Sequence, residues 1–379
     1  MTADEIDISA KSEKTEKVFG VQGGSDPDIN ELSKIELNAS TIKVYAEAKN
    51  ATEDVIGVYS NHTEMNFNGL AEITVKGGTS RNSFGVAADS DEDNQDTTIV
   101  NFNENVKVTV SSETSATGVR ASGLPSNINF GKDAKIEATS TANSAVGIQV
   151  QYSGSVKGKG NVDITVKAAE TSNGILNTSY ADGSLGHLII DGATTITAEG
   201  NDAFGIRNLV TNGFDPKNDP RVQLNGATTI SATATGEDGT AVGIDANHKA
   251  PILVTDSTIT ATSAKGEAFG VRADTDGELT LNGQSTVVAK GDQSVGMSVK
   301  TGANVKVIGE ATVTGKNAFV GDATSVVNVE GANDRAGGLV LNGNVDNAGV
   351  INLTNSSLEV LRTTTSTSRR FLLSTSGRL

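Results

Sequence analysis

The side chains that most often perform chemistry are few and widely separated in this sequence. Its three histidines, His62, His187 and His248, are far apart and occur at unrelated points of the sequence, which is the pattern of surface residues. It has no cysteine, so disulfides and thiolate metal sites are excluded. Nucleophile-elbow and glycine-rich phosphate-loop motifs are also missing. We therefore predict no catalytic, no cofactor-binding and no metal-binding residue, and a protein that is not an enzyme.

Two long insertions are the remaining candidates for a site. The first is DSDEDNQD at 89–96, where Asp89, Asp91, Asp93 and Asp96 offer the oxygen ligands that calcium prefers. Their spacing matches no EF-hand loop, which favours a solvated loop over a calcium site. The second is TNGFDPKNDP at 211–220. Loops that project from a rigid scaffold often determine specificity, so both segments are candidate partner contacts.

A repeated phrase indicates the scaffold. A small or apolar pair, glycine and an apolar residue recur as VFGV at Gly20, AFGI at Gly205, AVGI at Gly243 and in seven further copies. Successive glycines are 37, 28, 33, 29, 27, 31, 38, 27 and 26 residues apart. Spacing this irregular is unlike helical repeats of fixed length and is typical of a coil with variable loops.

Two more phrases complete each repeat. A short alternating strand ending in a turn follows the glycine phrase, as in MNFNG at 65–69 and LTLNG at 279–283, and a third strand such as AEITVKG or TTISATA follows it. We expect Asn-Gly and Asp-Gly to supply the positive φ of a corner. Three strands per repeat predict an all-β, right-handed, single-stranded parallel β-helix, a three-sided solenoid of about ten to eleven coils. An antiparallel sandwich is the alternative, but it gives no reason for the recurring phrase.

Alternation assigns the faces of these strands. In AFGIR we expect Phe204 and Ile206 to point inward and Gly205 and Arg207 outward. The same rule gives two larger sets in the other coils. The inward column before the glycine would be Phe84, Val146, Phe204, Val242, Phe269 and Val295. In the third strand the inward residues would be Ile73, Val108, Ile164, Ile196, Ile230, Ile259 and Val313, with Thr74, Thr109, Thr165, Thr197, Ser231, Thr260 and Thr314 outward.

The outward threonines invite comparison with the flat threonine arrays of ice-binding helices. Charged residues such as Glu72, Lys107 and Asp163 interrupt them in the first half of the chain. We therefore interpret the array as β-propensity on a solvated face.

Composition limits the partners. The formal net charge of −16 over 379 residues argues against nucleic acid and for solubility. No apolar run approaches the length of a membrane span, and the first residues, MTADEIDISAKSEK, lack the pattern of a signal peptide.

The glycine-, asparagine- and threonine-rich coils, the missing cysteines, the acidity and the phrase LVLNGNVDNAGVINLTNSSLEV at 339–360 resemble the passenger domains of bacterial autotransporters. This resemblance implies a β-helical passenger, carried to the surface of a Gram-negative bacterium by a C-terminal barrel that this sequence does not include. It implies surface display or adhesion to host or neighbouring cells, with a host or bacterial surface protein or a glycan as the partner. No site residue follows from it.

We accordingly divide the chain into an N-terminal cap or disordered segment at 1–17, a β-helix at 18–361 and a disordered basic tail at 362–379. Open solenoid ends predict self-association. The alternative function is a carbohydrate-active β-helix, of the polysaccharide lyase or tailspike kind. It would require acidic and basic residues at one point of the repeat on adjacent coils. Arg120, Arg207 and Arg272 do recur after the glycine, which we interpret as a repeat position.

Overall fold

A computed structural model describes residues 3–24, 32–90, 97–123, 125–178, 186–209, 221–332, 335–361 and 372–375. These residues form β-strands and turns and contain no helix. The chain divides into two compact units, an N-terminal unit, Met1–Thr194, and a C-terminal unit, Thr195–Leu379.

The N-terminal unit contains eighteen complete strands in chain order. They are β1 (Ala3–Thr15), β2 (Val18–Gly24), β3 (Ser33–Leu37), β4 (Ala39–Ala51), β5 (Asp54–Asn61), β6 (Thr63–Phe67), β7 (Leu70–Lys76), β8 (Asn82–Asp89), β9 (Thr98–Phe102), β10 (Val106–Ser112), β11 (Ala116–Ser122), β12 (Ser126–Phe130), β13 (Ala134–Ser140), β14 (Ala145–Gln151), β15 (Ser155–Gly158), β16 (Val162–Ala168), β17 (Thr171–Thr178) and β18 (His187–Ile190).

Every third strand of this unit pairs with its equivalent in the next repeat, and all these pairings are parallel. The glycine strands form the row β2–β5–β8–β11–β14–β17. The second strands form β3–β6–β9–β12–β15–β18. The third strands form β1–β4–β7–β10–β13–β16. Three parallel rows that advance by one repeat at each step confirm the predicted parallel β-helix.

The later strands are β19 (Thr194–Gly200), β20 (Asp202–Leu209), β21 (Val222–Ala234), β22 (Ala241–Asn247), β23 (Ile252–Ser263), β24 (Glu267–Asp274), β25 (Glu278–Lys290), β26 (Gln293–Val299), β27 (Asn304–Gly321), β28 (Val326–Glu330), β29 (Gly337–Asn347), β30 (Val350–Thr354), β31 (Ser356–Val360) and β32 (Leu372–Thr375).

In the C-terminal unit the second and third phrases of a repeat join into one long strand, as in β21, β23 and β25. The pairing of β21 with β23 shifts register between Leu224 and Ala227, at the Asn-Gly corner. At the place where the sequence predicted a corner between two separate strands, the structure therefore has one continuous strand with a bulge. The glycine strands again form their own parallel row, β20–β22–β24–β26.

The interior of the N-terminal unit is built from columns of identical or similar side chains. The predicted inward residues of the third strands are confirmed, since Ile73, Val108 and Ile164 are almost completely buried and their threonine neighbours are half exposed. In the second row, Phe102 lies between two other buried phenylalanines, Phe67 and Phe130, with ring centroids 4.8 and 5.9 Å away. On the outside of this row, Asn101 accepts from Asn129 at 2.8 Å and donates to Asn66 at 2.7 Å.

The predicted orientation at the repeat glycine is wrong. A Cβ added to Gly205 would lie 2.2 Å from Cγ2 of Ile230 and 2.5 Å from the carbonyl oxygen of Gly243, so this glycine faces the third strand across the interior. Phe204 instead lies on the outer side, where the guanidinium of Arg207 covers its ring at 3.9 Å. The cross-section leaves no room for a side chain at the glycine. Because Gly205 and the fully buried Ile206 are consecutive, the two-residue alternation is interrupted at this point.

The direction predicted for the whole column before the glycine, Phe84, Val146, Phe204, Val242, Phe269 and Val295, is corrected with it, because its members lie in equivalent positions of paired strands. Their predicted burial holds for Phe84, Val146, Phe204 and Val242, each less than a tenth exposed. The residue after the glycine is fully buried, as with Ile206 and Ile244.

Only some of the corner glycines adopt the positive φ that we expected. Gly283 adopts φ 77° and Gly343 φ 145°, as predicted for Asn-Gly corners. Gly69 has no positive φ, but a Cβ there would lie only 1.8 Å from the carbonyl oxygen of Ala39. At that corner the close approach of the preceding coil requires glycine.

Both ends of the predicted β-helix extend into segments that we assigned otherwise. Within 1–17, expected as a cap or a disordered segment, β1 pairs in parallel with β4 from Ala3↔Ala39 to Thr15↔Ala51. It therefore belongs to the stacked third row and covers that row's first edge. Within 362–379, expected as a disordered tail, the backbone of β32 pairs in parallel with β30; the rest of that segment lies outside the described residues.

Candidate functional site

The outer surface of each unit has a strip beside the repeat glycines, which we call the crease. Two rows of side chains meet there, one contributed by the residue before the glycine and the other by the second residue after it. In β20 these are Phe204 and Arg207, and in β11 they are Thr117 and Arg120. Because successive glycine strands pair in register, each row continues from one coil to the next.

The crease of the N-terminal unit begins with an apolar patch. Ile56, Phe84 and Ala87 form a buried cluster, and Phe19 and Tyr59 pack against it while half exposed. The rings of Phe19 and Tyr59 are 5.4 Å apart. Because the rings of Phe19 and Tyr59 are only half buried, part of the apolar surface of this patch is available to a partner.

The next coils of this crease carry a charged pair. Arg120 donates from Nε and Nη2 to the two carboxylate oxygens of Asp89, at 3.2 and 2.5 Å, and its guanidinium lies 4.0 Å from the ring centre of Phe84. Asp89 is the first residue of the acidic segment that we considered for calcium. Its carboxylate is bound to an arginine, which favours a structural role.

The crease of the C-terminal unit contains a row of alternating charge. Arg207, Asp245 and Arg272 are in register on three adjacent strands. Arg272 donates to Asp245 from Nε at 2.9 Å and from Nη2 at 2.7 Å, whereas Arg207 approaches the same carboxylate only to 3.6 Å. Asp245 is fully buried beneath the two guanidinium groups. A third donor, the side-chain amide of Asn247, binds it at 3.1 Å.

The two arginines differ in electrostatics. Burial lowers the pKa of Arg207, and the nearby Arg272 lowers it further against the attraction of Asp245 and Asp202. Burial is the largest single influence on Arg272 and acts to lower its pKa, but the hydrogen bonds and the negative charge of Asp245, together with the charges of Asp274 and Glu267, raise the pKa overall. Asp245 thus stabilises mainly Arg272.

The alternative, carbohydrate-active function would require acidic and basic residues at one point of the repeat on adjacent coils, and this row contains both kinds. Glycosidases, however, use two carboxyl groups on either side of the scissile bond. Among the described residues, Asp245 is the single carboxylate of this three-residue row, and it is already bonded to Arg272 and Asn247. The arrangement is suited to holding a partner by a guanidinium and an apolar surface.

The histidines are not gathered into a site. His62 is buried, not a surface residue as predicted, and it occupies a corner with φ 50° next to Thr98, whose hydroxyl accepts its backbone N–H. His187 and His248 are half exposed. Within the described ranges, no group of three or more His, Asp or Glu side chains is placed to bind a metal ion.

Both candidate loops fall largely outside the described residues. This applies to 91–96 in the first segment and to all of 211–220 in the second. Sequence reasoning instead missed Asp245, which lies in β22, and it placed Phe204 of β20 on the wrong side of its strand.

The outer faces of the third strands differ between the units. In the N-terminal unit one column reads Lys43, Glu72, Lys107, Lys135 and Asp163. In the C-terminal unit the equivalent column reads Thr229, Thr258, Thr286 and Thr312, all exposed. In this column, threonine is therefore found in the C-terminal unit and charged residues in the N-terminal unit, in agreement with the interruption seen in the sequence.

The fold and the creases define a parallel β-solenoid with patterned outer rows. No family model matches this chain, and neither the curated proteins nor the solved structures that were compared contain a match. The described part of the chain contains no helix that is long and apolar enough to cross a membrane.

Proposed function

We propose that this protein is a non-enzymatic β-helical passenger of the autotransporter kind, displayed on the surface of a Gram-negative bacterium or secreted from it. Its role is adhesion to host or neighbouring cells through outer faces and loops. The observation that carries this proposal is the contrast between core and crease. The buried position after each glycine stays apolar, whereas the outer position two after it changes from Tyr59 to Arg120 to Asp245.

Such variation on a constant scaffold favours recognition of macromolecules, because neighbouring coils supply different side chains at fixed spacing. The partner is a surface protein or a glycan of a host or bacterial cell. The strong negative charge opposes nucleic acid binding. Anchoring is assigned to a barrel outside this sequence, with no membrane insertion by the segment itself.

The test is binding of the purified chain to panels of glycans and extracellular-matrix proteins, followed by product analysis for each bound glycan. We expect saturable binding without cleavage. An absence of binding to every member of both panels would contradict adhesion.

The carbohydrate-active alternative is favoured by one observation, the row Arg207, Asp245 and Arg272. The same panel separates the two functions, because an enzyme would release shortened products. Cleavage that disappears in Asp245→Asn, but persists in Asp292→Asn outside the crease, would support the enzyme and overturn the adhesin.

We also propose self-association through solenoid ends. Among the described strands β1 pairs with β4 alone, which leaves its second edge without a strand partner. Sedimentation velocity should show larger species as the protein concentration rises. A monomer at all concentrations would contradict this.

A further inference from the structure

We propose that the crease of the C-terminal unit binds a partner protein. A single carboxylate group of the partner pairs with Arg207, beside the apolar side chain of Leu209. This inference deepens the proposed adhesive function and rests on it. It identifies the partner class as a protein and assigns the contact to two residues of β20.

The first argument is a comparison of three arginines at the same position of the repeat. Arg120 forms two hydrogen bonds with Asp89, and Arg272 forms two with Asp245. Arg207 forms none within the described residues, and its buried Nε lacks a hydrogen-bond partner. Arginine presents five N–H donors, so Arg207 alone of the three uses none of them in a hydrogen bond to the described residues.

The second argument is that Arg207 is held in place without those bonds. Its guanidinium lies 3.9 Å from the ring centre of Phe204, and its Nε lies 3.6 Å from Asp245. The side chain remains 25% exposed. Because the buried edge is fixed, the terminal Nη groups are the donors that can meet a carboxylate from outside, in the paired geometry that arginine favours.

The third argument concerns the surroundings. Leu209, two residues further along the same face of β20, is 38% exposed, which is unusual among the large apolar side chains of the described chain. An arginine next to an exposed apolar side chain is typical of protein interfaces. A sugar ring would need an open aromatic face, but Arg207 already covers Phe204, and Val242 on the adjacent strand is fully buried.

The local charge favours one carboxylate over a polyanion. Asp245 and Asp202 both act on Arg207 electrostatically. Asp245 is already bonded to Arg272, and Asp202 accepts the backbone N–H of Thr240 at 2.8 Å. A densely charged polymer would bring further anions towards these carboxylates, whereas an isolated Glu or Asp between apolar residues would meet Arg207 alone.

The experiment uses the full chain and immobilised synthetic peptides. The peptides present Leu-Glu-Leu or Leu-Asp-Leu between Ser-Gly flanks, each with a matched version carrying Gln or Asn. We expect the acidic peptides to bind at least tenfold more tightly than their amide versions. Arg207→Gln should remove that difference, and Leu209→Ala should weaken binding to both versions.

The matched control is Arg81→Gln, which removes the same charge from an exposed arginine outside the crease. It should bind like the wild type. Arg207→Gln breaks no hydrogen bond with the described residues, but it removes the contact with the Phe204 ring and the charge pair with Asp245. Its unfolding midpoint is therefore measured first, and binding is compared at a temperature well below that midpoint, where the variant is folded. Equal binding of acidic and amide peptides, or full binding by Arg207→Gln, overturns the inference.

The matrix-protein and glycan panels separate this inference from the proposed function. Binding to a panel protein that Arg207→Gln leaves unchanged overturns the Arg207 site and leaves adhesion standing. Binding to acidic glycans that is lost in Arg207→Gln overturns the assignment to a protein partner. Failure of the wild-type chain to bind any peptide, protein or glycan overturns both.

Discussion

Replacing Gly243 by alanine tests which side of the glycine strand faces the interior. The added Cβ would lie 2.2 Å from Cγ2 of Ile259 and 2.5 Å from the carbonyl oxygen of Gly270. Cβ atoms essentially never approach other heavy atoms within 3.0 Å, so the side chain or the adjacent backbone must move. Overpacking of this kind costs about 1–3 kcal/mol. We expect a loss of about 3 kcal/mol, because one of the two obstructing atoms belongs to the backbone and cannot move as freely as a side chain.

The outward orientation that alternation predicted would give the opposite sign. On an open surface, alanine restricts the unfolded chain and stabilises a protein by about 0.4–1 kcal/mol. Guanidinium unfolding followed by circular dichroism distinguishes the two results. The control is Gly338→Ala, where the added Cβ would meet only Oγ of Ser357 at 3.6 Å, and we expect this variant to be more stable than the wild type by about 0.4–1 kcal/mol.

A double variant links the loss to its cause. Ile259→Ala alone removes a fully buried side chain and should cost about 2–5 kcal/mol. It also removes the nearer of the two obstructing atoms, so Gly243→Ala with Ile259→Ala should be less destabilising than the sum of the single changes. Wild-type stability of Gly243→Ala would refute the inward assignment of the repeat glycines.

Three further changes test the packing and the charges. Phe102→Ala should lower the free energy of unfolding by about 3–5 kcal/mol, because the ring is buried between two others; an intact thermal midpoint would contradict this. Asp245→Ala should cost about 3 kcal/mol by leaving buried guanidinium charge unpaired, and equal denaturant midpoints would count against the pairing. Burial acts to raise the pKa of Asp322, but hydrogen bonds, the first from the backbone N–H of Thr301 at 2.6 Å, hold it below its usual value. The stabilisation is therefore present above the ordinary pKa of 3.8 and lost as pH falls through the lower folded value. Asp322→Ala should be about 1 kcal/mol less stable than wild type at pH 7, with the gap closing near pH 2; the control Asp292→Ala should show no gap in urea unfolding, and a gap that persists in acid would refute the linkage.

The architecture was predictable because two independent signals agreed. The glycine phrase set the length of each repeat, and strict alternation in the third strand allowed only one inward set, with Ile73 and Ile164 facing the core. A wrong face would have placed charged neighbours such as Asp163 and Lys167 inside. Burial therefore decides the register wherever one face is polar.

The orientation at the glycine was not predictable by alternation, because the glycine and the residue after it both face the interior and so interrupt the two-residue period. A usable signal was present nonetheless. The position before the glycine holds Thr117 and Asn173 in two repeats, whereas the position after it is apolar in every copy of the phrase. A position that accepts asparagine in a thin core is better assigned to the outer side.

The charged row shows why the candidate site was beyond a single-sequence argument. Arg207 and Arg272 occupy the same position of the repeat, so their alignment followed from the phrase itself. Asp245 occupies that position too, but its role depends on which neighbour it bonds, and this is decided by side-chain geometry between coils. The bidentate pairing of Asp245 with Arg272 is what leaves Arg207 with unused donors.

In a solenoid of this kind, substitutions divide sharply by position. The interior repeats the same columns, so each change there has two neighbours of like shape and is felt as a packing defect. The crease rows do not repeat one residue type, and the second position after the glycine holds tyrosine, arginine, aspartate and leucine, as Tyr59, Arg120, Asp245 and Leu176 show. Recognition can therefore change from coil to coil without redesign of the core, which places the specificity of this chain on its outer rows.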